Sequence, residues 1–466
     1  MNKVENRAER FFQQMQGKRV AFCGIGGSNL PLIKIFAQRG AVVSARDRRG
    51  YQQVQQAAEL EKMGVRLVLG DGYLQDLTEE VVFRTPGMPY HLPELEAARR
   101  RGAAVTSEME VFMDLCPCKV YGVTGSDGKT TTTTILAKML AAAGKKVHLG
   151  GNIGRPLLPD IWQIGPDDVA VVELSSFQLI SMRRSPDVAV VTNISPNHLD
   201  VHKDMQEYVE AKENILLHQN AFARTVLNLD NAYTAGFAGD VRGSLYGFSS
   251  LQRPERGAFL SAEGLLVMTD GGQEFPVLRA EEIKLPGRHN IENYLAAFCA
   301  LWGDVAPETM AQVARSFAGV EHRTELVREH RGVRWYNDSI ATTPSRTVQG
   351  MLSLFPQKIL LIAGGYDKKV PFEPMGQPVV EKVKTLVLIG ATAPAIEKAV
   401  REAPGYREGA PVILHAATLE EAVRLCGKYA QPGDIAALSP ACASFDMFPN
   451  YETRGDLFKE YVQKLP

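Results

Sequence analysis

The sequence predicts an α/β protein of three domains. Two stretches run strand, glycine-rich turn, helix: one opens at Arg19 and the other at Lys119. Continuous apolar strands in the middle and last sections close on polar residues, as strands buried on both faces of a parallel sheet do. The length, 466 residues, admits two to four domains at ~150 residues each. The divisions expected are residues 1–108, 109–319 and 320–466.

The first unit opens on Arg19-Val20-Ala21-Phe22-Cys23, which runs into Gly24-Ile25-Gly26-Gly27-Ser28. An apolar-periodic helix to Gly40 follows, then a strand from Ala41 to Ala45 that ends at Asp47. An acidic residue about 20 positions past a glycine turn marks a Rossmann-like βαβ unit. Asn29 stands where a third glycine is expected, which favours some other phosphate-bearing ligand over NAD. Strands at Val65–Leu69, Val81–Phe83 and Ala103–Thr106 complete this unit, with Thr85-Pro86-Gly87 after the second and a helix from Pro93 to Arg101.

The middle section opens on a strand, Lys119-Val120-Tyr121, then Gly122-Val123-Thr124-Gly125-Ser126-Asp127-Gly128-Lys129-Thr130-Thr131, then a helix from Thr130 to Ala143. Glycines let backbone N–H groups turn onto a phosphate, and a helix N-terminus adds partial positive charge. Lys129 then reaches the terminal phosphates and the Thr130 hydroxyl sits on Mg²⁺. Val123 replaces the first glycine of the longer motif, leaving Gly125-x-x-Gly128-Lys129-Thr130. Thr130 to Thr134 are poor helix starters by propensity, yet their hydroxyls suit orphan N–H groups, a metal and a nucleotide. Strands at Lys146–Leu149, Val169–Leu174 and Val188–Ile194 follow, then a Glu- and Lys-rich helix from Asp204 to His218. Glycine-punctuated β segments fill Thr225–Leu278, and Leu285-Pro286-Gly287 leads into an alanine-rich helix. The last section places strands at Lys358–Ala363, Thr385–Ile389, Val412–Leu414 and Ile435–Leu438.

A net charge of −1 and a pI of about 6.8 give no electrostatic case for nucleic acid or a membrane surface. The N-terminus has no apolar signal region, and no apolar run reaches the ~18 residues of a membrane span. Cys116-Pro117-Cys118 is neither a redox CxxC nor half of a common zinc site, so a reduced, cytoplasmic setting is expected.

Glu173 closes an apolar strand and suits Mg²⁺, which prefers oxygen ligands. His198 reads equally as a capping histidine or a ligand. Arg323 can neutralise phosphate charge and Asp338 can hold ribose hydroxyls, against a plain surface salt bridge. Lys212 reads by composition as a solvated lysine.

Gly125-Ser126-Asp127-Gly128-Lys129-Thr130, Gly151-Asn152-Ile153-Gly154, Glu173-Leu174-Ser175-Ser176, Asn197-His198-Leu199-Asp200, Leu285-Pro286-Gly287-x-His289-Asn290 and His322-Arg323 together resemble the Mur ligases. The likeness covers nearly the whole chain, in order. It implies a Rossmann-like first domain for a UDP-sugar, a P-loop-type central ATPase domain and a Rossmann-like C-terminal domain for the amino acid. It further implies a cytoplasmic, monomeric amide ligase of peptidoglycan precursor synthesis. Val172 to Leu179 and Ser439 to Asp446 look like the member that adds D-glutamate to UDP-N-acetylmuramoyl-L-alanine; another member adding a different amino acid is the alternative. The implied cofactors are ATP, two Mg²⁺ ions and a CO₂-derived carbamate on Lys212. Lys129, His198 and Lys212 are the implied catalytic residues. Gly125, Ser126, Asp127, Gly128, Lys129, Thr130, Thr131, Asn290, Asn293, Arg323 and Asp338 would bind ATP. Thr130, Glu173, His198 and carbamylated Lys212 would hold metal. Ser28, Asn29, Asp47, Arg48, Thr85, Pro86, Gly87, Asn152 and His198 would meet the UDP-sugar substrate. Thr342, Lys368, Ser444, Phe445 and Tyr451 would take D-glutamate. Two departures stand out: Ile340 replaces a family lysine, and Ser126-Asp127 replaces Thr-Asn or Thr-Gly.

Overall fold

The computed structural model describes residues 7–199, 201–285, 287–368 and 370–466. Asp200, Pro286 and Lys369, each within a sequence motif, lie outside the described residues. Among those described, no helix is long and apolar enough to cross a membrane.

The first sheet holds β1 (Arg19–Cys23), β2 (Val42–Asp47), β3 (Arg66–Leu69), β4 (Val81–Arg84) and β5 (Ala104–Thr106). All pairs are parallel, in the order β3-β2-β1-β4-β5. Chain order reverses beside β1, so the crevice past its C-terminal end, at Gly24–Asn29, is the position where open α/β sheets bind ligands.

The second sheet holds β6 (Lys119–Thr124), β7 (Val147–Gly151), β8 (Val169–Glu173), β9 (Val188–Val191), β10 (Arg224–Asn228), β11 (Ser244–Ser249), β12 (Gly257–Leu260), β13 (Leu265–Asp270) and β14 (Gln273–Arg279). Its order is β14-β13-β12-β11-β10-β9-β6-β8-β7. Strand β6 therefore lies between β8 and β9, and the chain leaves all three parallel strands at one edge. That topology gathers the phosphate loop, Glu173 and the 192–199 turn. Strand β6 extends past Tyr121 to Thr124, because Gly122 and Val123 continue the ladder opposite Val172 and Glu173. Strand β9 stops at Val191, short of Ile194.

The third sheet holds β15 (Glu325–His330), β16 (Val333–Asn337), β17 (Ile359–Ala363), β18 (Val383–Leu388), β19 (Val412–His415) and β20 (Ile435–Leu438), ordered β15-β16-β20-β17-β18-β19. The β15–β16 hairpin was not expected from the sequence. Its turn is Arg331-Gly332, both at positive φ (51° and 74°), which Arg-Gly signals far less plainly than Asn-Gly would.

The chain forms two compact units. One runs to Ile283 and includes Arg288–Arg315; the other comprises Lys284–Gly287 and Ser316–Pro466. The first two sheets share one hydrophobic core, which runs from Val20, Phe22 and Phe83 through Leu158 and Ile161 to Val172, Val191 and Leu216. Phe12, on the Arg7–Met15 helix, packs on Phe36 of the first sheet's layer (5.2 Å) and on Trp162 of the second (4.8 Å). In the other unit the pleat divides the core. Ile359, Leu361 and Ala363 face one layer, Leu360 and Ile362 the opposite one.

Candidate active site

The phosphate loop follows from what β6 runs into. Gly125 has φ +147°, and a Cβ there would overlap Thr192 Oγ1, so no side chain fits. Ser126 fastens the loop. Its N–H donates to Asn193 O (2.8 Å), its hydroxyl lies 2.9 Å from the Tyr208 hydroxyl, and its Oγ accepts from Ser195 N–H (2.9 Å). Asp127 is exposed, and its N–H donates to Asn193 Oδ1 (2.9 Å). The Lys129 ammonium donates to Gly125 O (2.9 Å) and Ser126 O (2.8 Å), so the loop curls around its own lysine. Thr131 is half-buried on the Lys129–Ala142 helix.

Glu173, at the end of β8, is 1% exposed and so is not a solvated strand-end carboxylate. Thr130 Oγ1 donates to its Oε2 (2.6 Å) and Asn152 Nδ2 to its Oε1 (2.7 Å). A buried carboxylate with a hydroxyl beside it offers oxygen ligands, and it fits Mg²⁺. The Arg288–Leu301 helix adds a polar edge. Thr132 Oγ1 donates to Asn293 Oδ1 (3.1 Å), and Asn293 Nδ2 to Asn290 Oδ1 (3.0 Å). A Cβ on Gly128 would overlap that Asn293 oxygen, which fixes how closely helix and loop approach.

Lys212 is the main correction to composition. It is buried, not solvated, on the Met205–Leu217 helix. Its Nζ donates to Gly125 O (2.7 Å), the carbonyl that Lys129 also uses, and lies 4.7 Å from the Tyr208 ring centroid. Burial, then the nearby Lys129 charge, pushes its pKa well down. His198 is exposed, at φ +56°, with its ring 5.1 Å from Phe177.

His202 was not singled out from the sequence. It is buried, stacked on Phe177 (5.2 Å, 6°), with Nε2 2.9 Å from Ser176 Oγ and Nδ1 3.1 Å from Glu207 Oε2. It ties the segment after Glu173 to the helix that carries Lys212. The signal available was a second histidine four residues past His198, followed by the Asp204 N-cap.

In the first sheet, Asp47 Oδ2 accepts from Ile25 N–H (2.7 Å) and from Arg49 Nη2 (2.8 Å). Burial pushes this carboxyl up, but those bonds outweigh it and hold the pKa at about 2. Arg48 turns outward to Asp71 (3.3 Å), both largely exposed; Arg49 turns in and reaches Ile25 O (2.7 Å). Asn29 is buried, donating to Gly24 O (3.0 Å) and Cys23 O (3.3 Å), and its Oδ1 has no hydrogen-bond partner. Ser28, Thr85 and Pro86 are half-buried and Gly87 exposed along the same crevice; Thr85 N–H donates to Cys23 O (3.0 Å).

In the second unit Asp338 is buried. It accepts from Ser439 Oγ (2.7 Å) and Thr324 N–H (3.3 Å), and burial pushes its pKa up to about 6. Arg323 Nε is buried without a hydrogen-bond partner. Thr342 and Tyr451 are half-buried, Lys368 is exposed, and Phe445 is exposed edge-on to Tyr366 at 6.0 Å. Ser444 is only 1% exposed; its carbonyl takes the Met447 and Phe448 N–H groups (3.0 and 2.8 Å).

Residues 123–301 match the Mur ligase middle domain and residues 322–442 the Mur ligase glutamate ligase domain. The UDP-N-acetylmuramoylalanine--D-glutamate ligase of Acetivibrio thermocellus is 50% identical over 99% of this chain and 100% of its own length. The enzyme of the same name from Symbiobacterium thermophilum is 50% identical over 96% of this chain and 98% of its own. The UDP-N-acetylmuramate-alanine ligase of Thermotoga maritima, of known structure, is 16% identical with a TM-score of 0.56, covering 96% of this chain and 99% of that one, and so shares the fold. With half its residues shared along the full length of such enzymes, the chain belongs to the Mur ligase family.

Proposed function

We propose that this protein is an ATP-dependent ligase that joins D-glutamate to UDP-N-acetylmuramoyl-L-alanine in cytoplasmic peptidoglycan precursor synthesis. The observation that carries the reading is full-length identity of 50% to two enzymes of that name. The phosphate loop supports it independently. The substrate carboxylate attacks the γ-phosphate of ATP, giving an acyl phosphate and ADP. The D-glutamate amine then attacks the activated carbonyl, and phosphate leaves from the tetrahedral intermediate. Lys129 contributes charge where the phosphoryl group transfers, and the loop N–H groups orient the nucleotide. We assign Asn290, Asn293, Arg323 and Asp338 to the nucleotide, as the resemblance to the family implies. Asp47, Asn29 and Thr85–Gly87 are assigned to the UDP-sugar, with Arg49 added because it, rather than Arg48, faces Asp47.

Thr130 and Glu173 would hold one Mg²⁺; His198 and Lys212 would hold a second. Mg²⁺, when bound, supplies positive charge that offsets the charge on the transferring phosphoryl group. As an ammonium Lys212 has no lone pair for a metal. As a neutral amine it can add to CO₂, forming an N–C bond, losing one proton and presenting carboxylate oxygens. Burial beside Lys129 favours that neutral amine. We therefore assign Lys212 as carbamylated in the working enzyme.

Phosphate release with UDP-N-acetylmuramoyl-L-alanine tests the substrate assignment, with D-glutamate, L-glutamate, L-alanine and meso-diaminopimelate compared as acceptors. Turnover confined to D-glutamate is expected; preference for another amino acid would overturn it.

A further inference from the structure

Arg46 and Arg454 are both almost wholly buried, in different company. Arg46 has a counter-charge: the Glu79 carboxylate accepts from its Nη2 at 2.8 and 3.1 Å. Arg454 has none, for no carboxylate of the described residues forms an ion pair with it. Its bonds all go to uncharged acceptors: Nε to Ser339 Oγ (3.0 Å), Nη1 to Ala443 O (3.2 Å), and Nη2 to Ser339 O (2.8 Å) and Cys442 O (3.1 Å). Asp446, the acid that acts on it through space, accepts instead from Ala391 N–H (2.9 Å).

Those acceptors are not scattered. Ser339 begins the turn that leads to Thr342, and Cys442 and Ala443 lead to Ser444 and Phe445. Arg454 itself stands one helical turn past Tyr451, whose carbonyl accepts from Ser339 Oγ (2.8 Å). On a further side lies Gly365, three residues before Lys368; a Cβ there would come within 3.3 Å of Arg454 Nη1 and overlap Ala443 O. One guanidinium thus bonds to the segments that lead to Thr342 and to Ser444 and Phe445, and lies beside the Gly365 turn that precedes Lys368. A rigid five-donor fork suits this task, and a lysine could not span it. A buried charge without an ion-paired partner is costly.

We infer that Arg454 is a positioning residue for the amino-acid acceptor. Its guanidinium fixes the turns that carry Thr342, Ser444 and Phe445, and its charge, without an ion-paired carboxylate among the described residues, favours an acceptor with a second carboxylate. The inference rests on the reading that this pocket takes D-glutamate. It is tested by steady-state kinetics of Arg454→Lys and Arg454→Gln for all three substrates, with thermal unfolding of each. The KM for D-glutamate should rise about 10-fold in Arg454→Lys and further in Arg454→Gln, while those for ATP and the UDP-sugar stay within about twofold. Three KM values rising together, or a lower kcat with an unchanged KM for D-glutamate, would overturn it. If Arg454→Gln does not fold, Arg454→Lys decides by the same criterion. Wild-type enzyme that ignores D-glutamate would refute the substrate reading itself, before any variant is made.

Discussion

Two lysines meet at one carbonyl oxygen, Gly125 O, and the roles proposed for them differ. Lys129→Ala should leave the protein folded, since the residue is only half-buried, but cut phosphate release by about 10²–10³-fold or more. Near-normal release from a folded variant would contradict the phosphate assignment. Lys212→Ala should be nearly inactive, and short carboxylates that fill the space should restore part of the rate. An intact-site mass measurement under CO₂ should show one added carboxylate on Lys212, absent after CO₂ removal; an unmodified lysine in active enzyme would rule the carbamate out. The turn that holds Lys129 was legible in the sequence because its motif is local. The burial of Lys212, which the family resemblance had singled out, was not legible from composition, because what buries it comes from Gly125 and Tyr208, and the helix pattern around it gives no sign of either. His202 stayed hidden for the same reason: its partners are Ser176 and Glu207, on different elements.

Among elements, the Glu108–Leu115 helix is fastened by its first residue. Glu108 Oε1 accepts from the Leu157 and Leu158 N–H groups (2.9 and 2.8 Å) at the start of the short Leu158–Gln163 helix. Burial raises its carboxyl to about 7 despite those bonds. The folded state therefore holds this proton more tightly than the unfolded chain. The stabilisation is full below about pH 4.5 and fades as pH rises to about 7. Glu108→Gln keeps the acceptor and removes the titration. It should match wild type near pH 4.5 and exceed it by about 1–3 kcal/mol at pH 8, measured by urea unfolding. A variant less stable than wild type at pH 8 would show that the neutral acid is not the favoured form. Element types were mostly legible, because apolar runs and glycine turns are local signals. Boundaries such as Thr124 and Val191 were not, since they depend on which neighbour a strand finds. The β15–β16 hairpin escaped because its Arg331-Gly332 turn lacks the usual residues.

Over the whole molecule, sheets and cores do not coincide: three sheets are divided between two compact units. The third sheet carries apolar layers drawn from its own strands and helices, so residues 320–466 expressed alone should unfold cooperatively in urea. Residues 1–108 alone should not, because Phe12 and its neighbours would lose Trp162, Leu158 and Ile161. Cooperative unfolding of that fragment would show that the common core adds little. The three-domain plan was legible from repeated strand–turn–helix punctuation, whereas the fusion of two cores was not, since Phe12 and Trp162 stand far apart along the chain. That fusion also restricts how such enzymes can be recombined. A hybrid that borrows the first sheet and its helices from a relative must import the matching Leu158–Gln163 segment as well, or both halves inherit a seam of mismatched aromatic rings. The natural crossover for shuffling is accordingly near Ser316 rather than near residue 108.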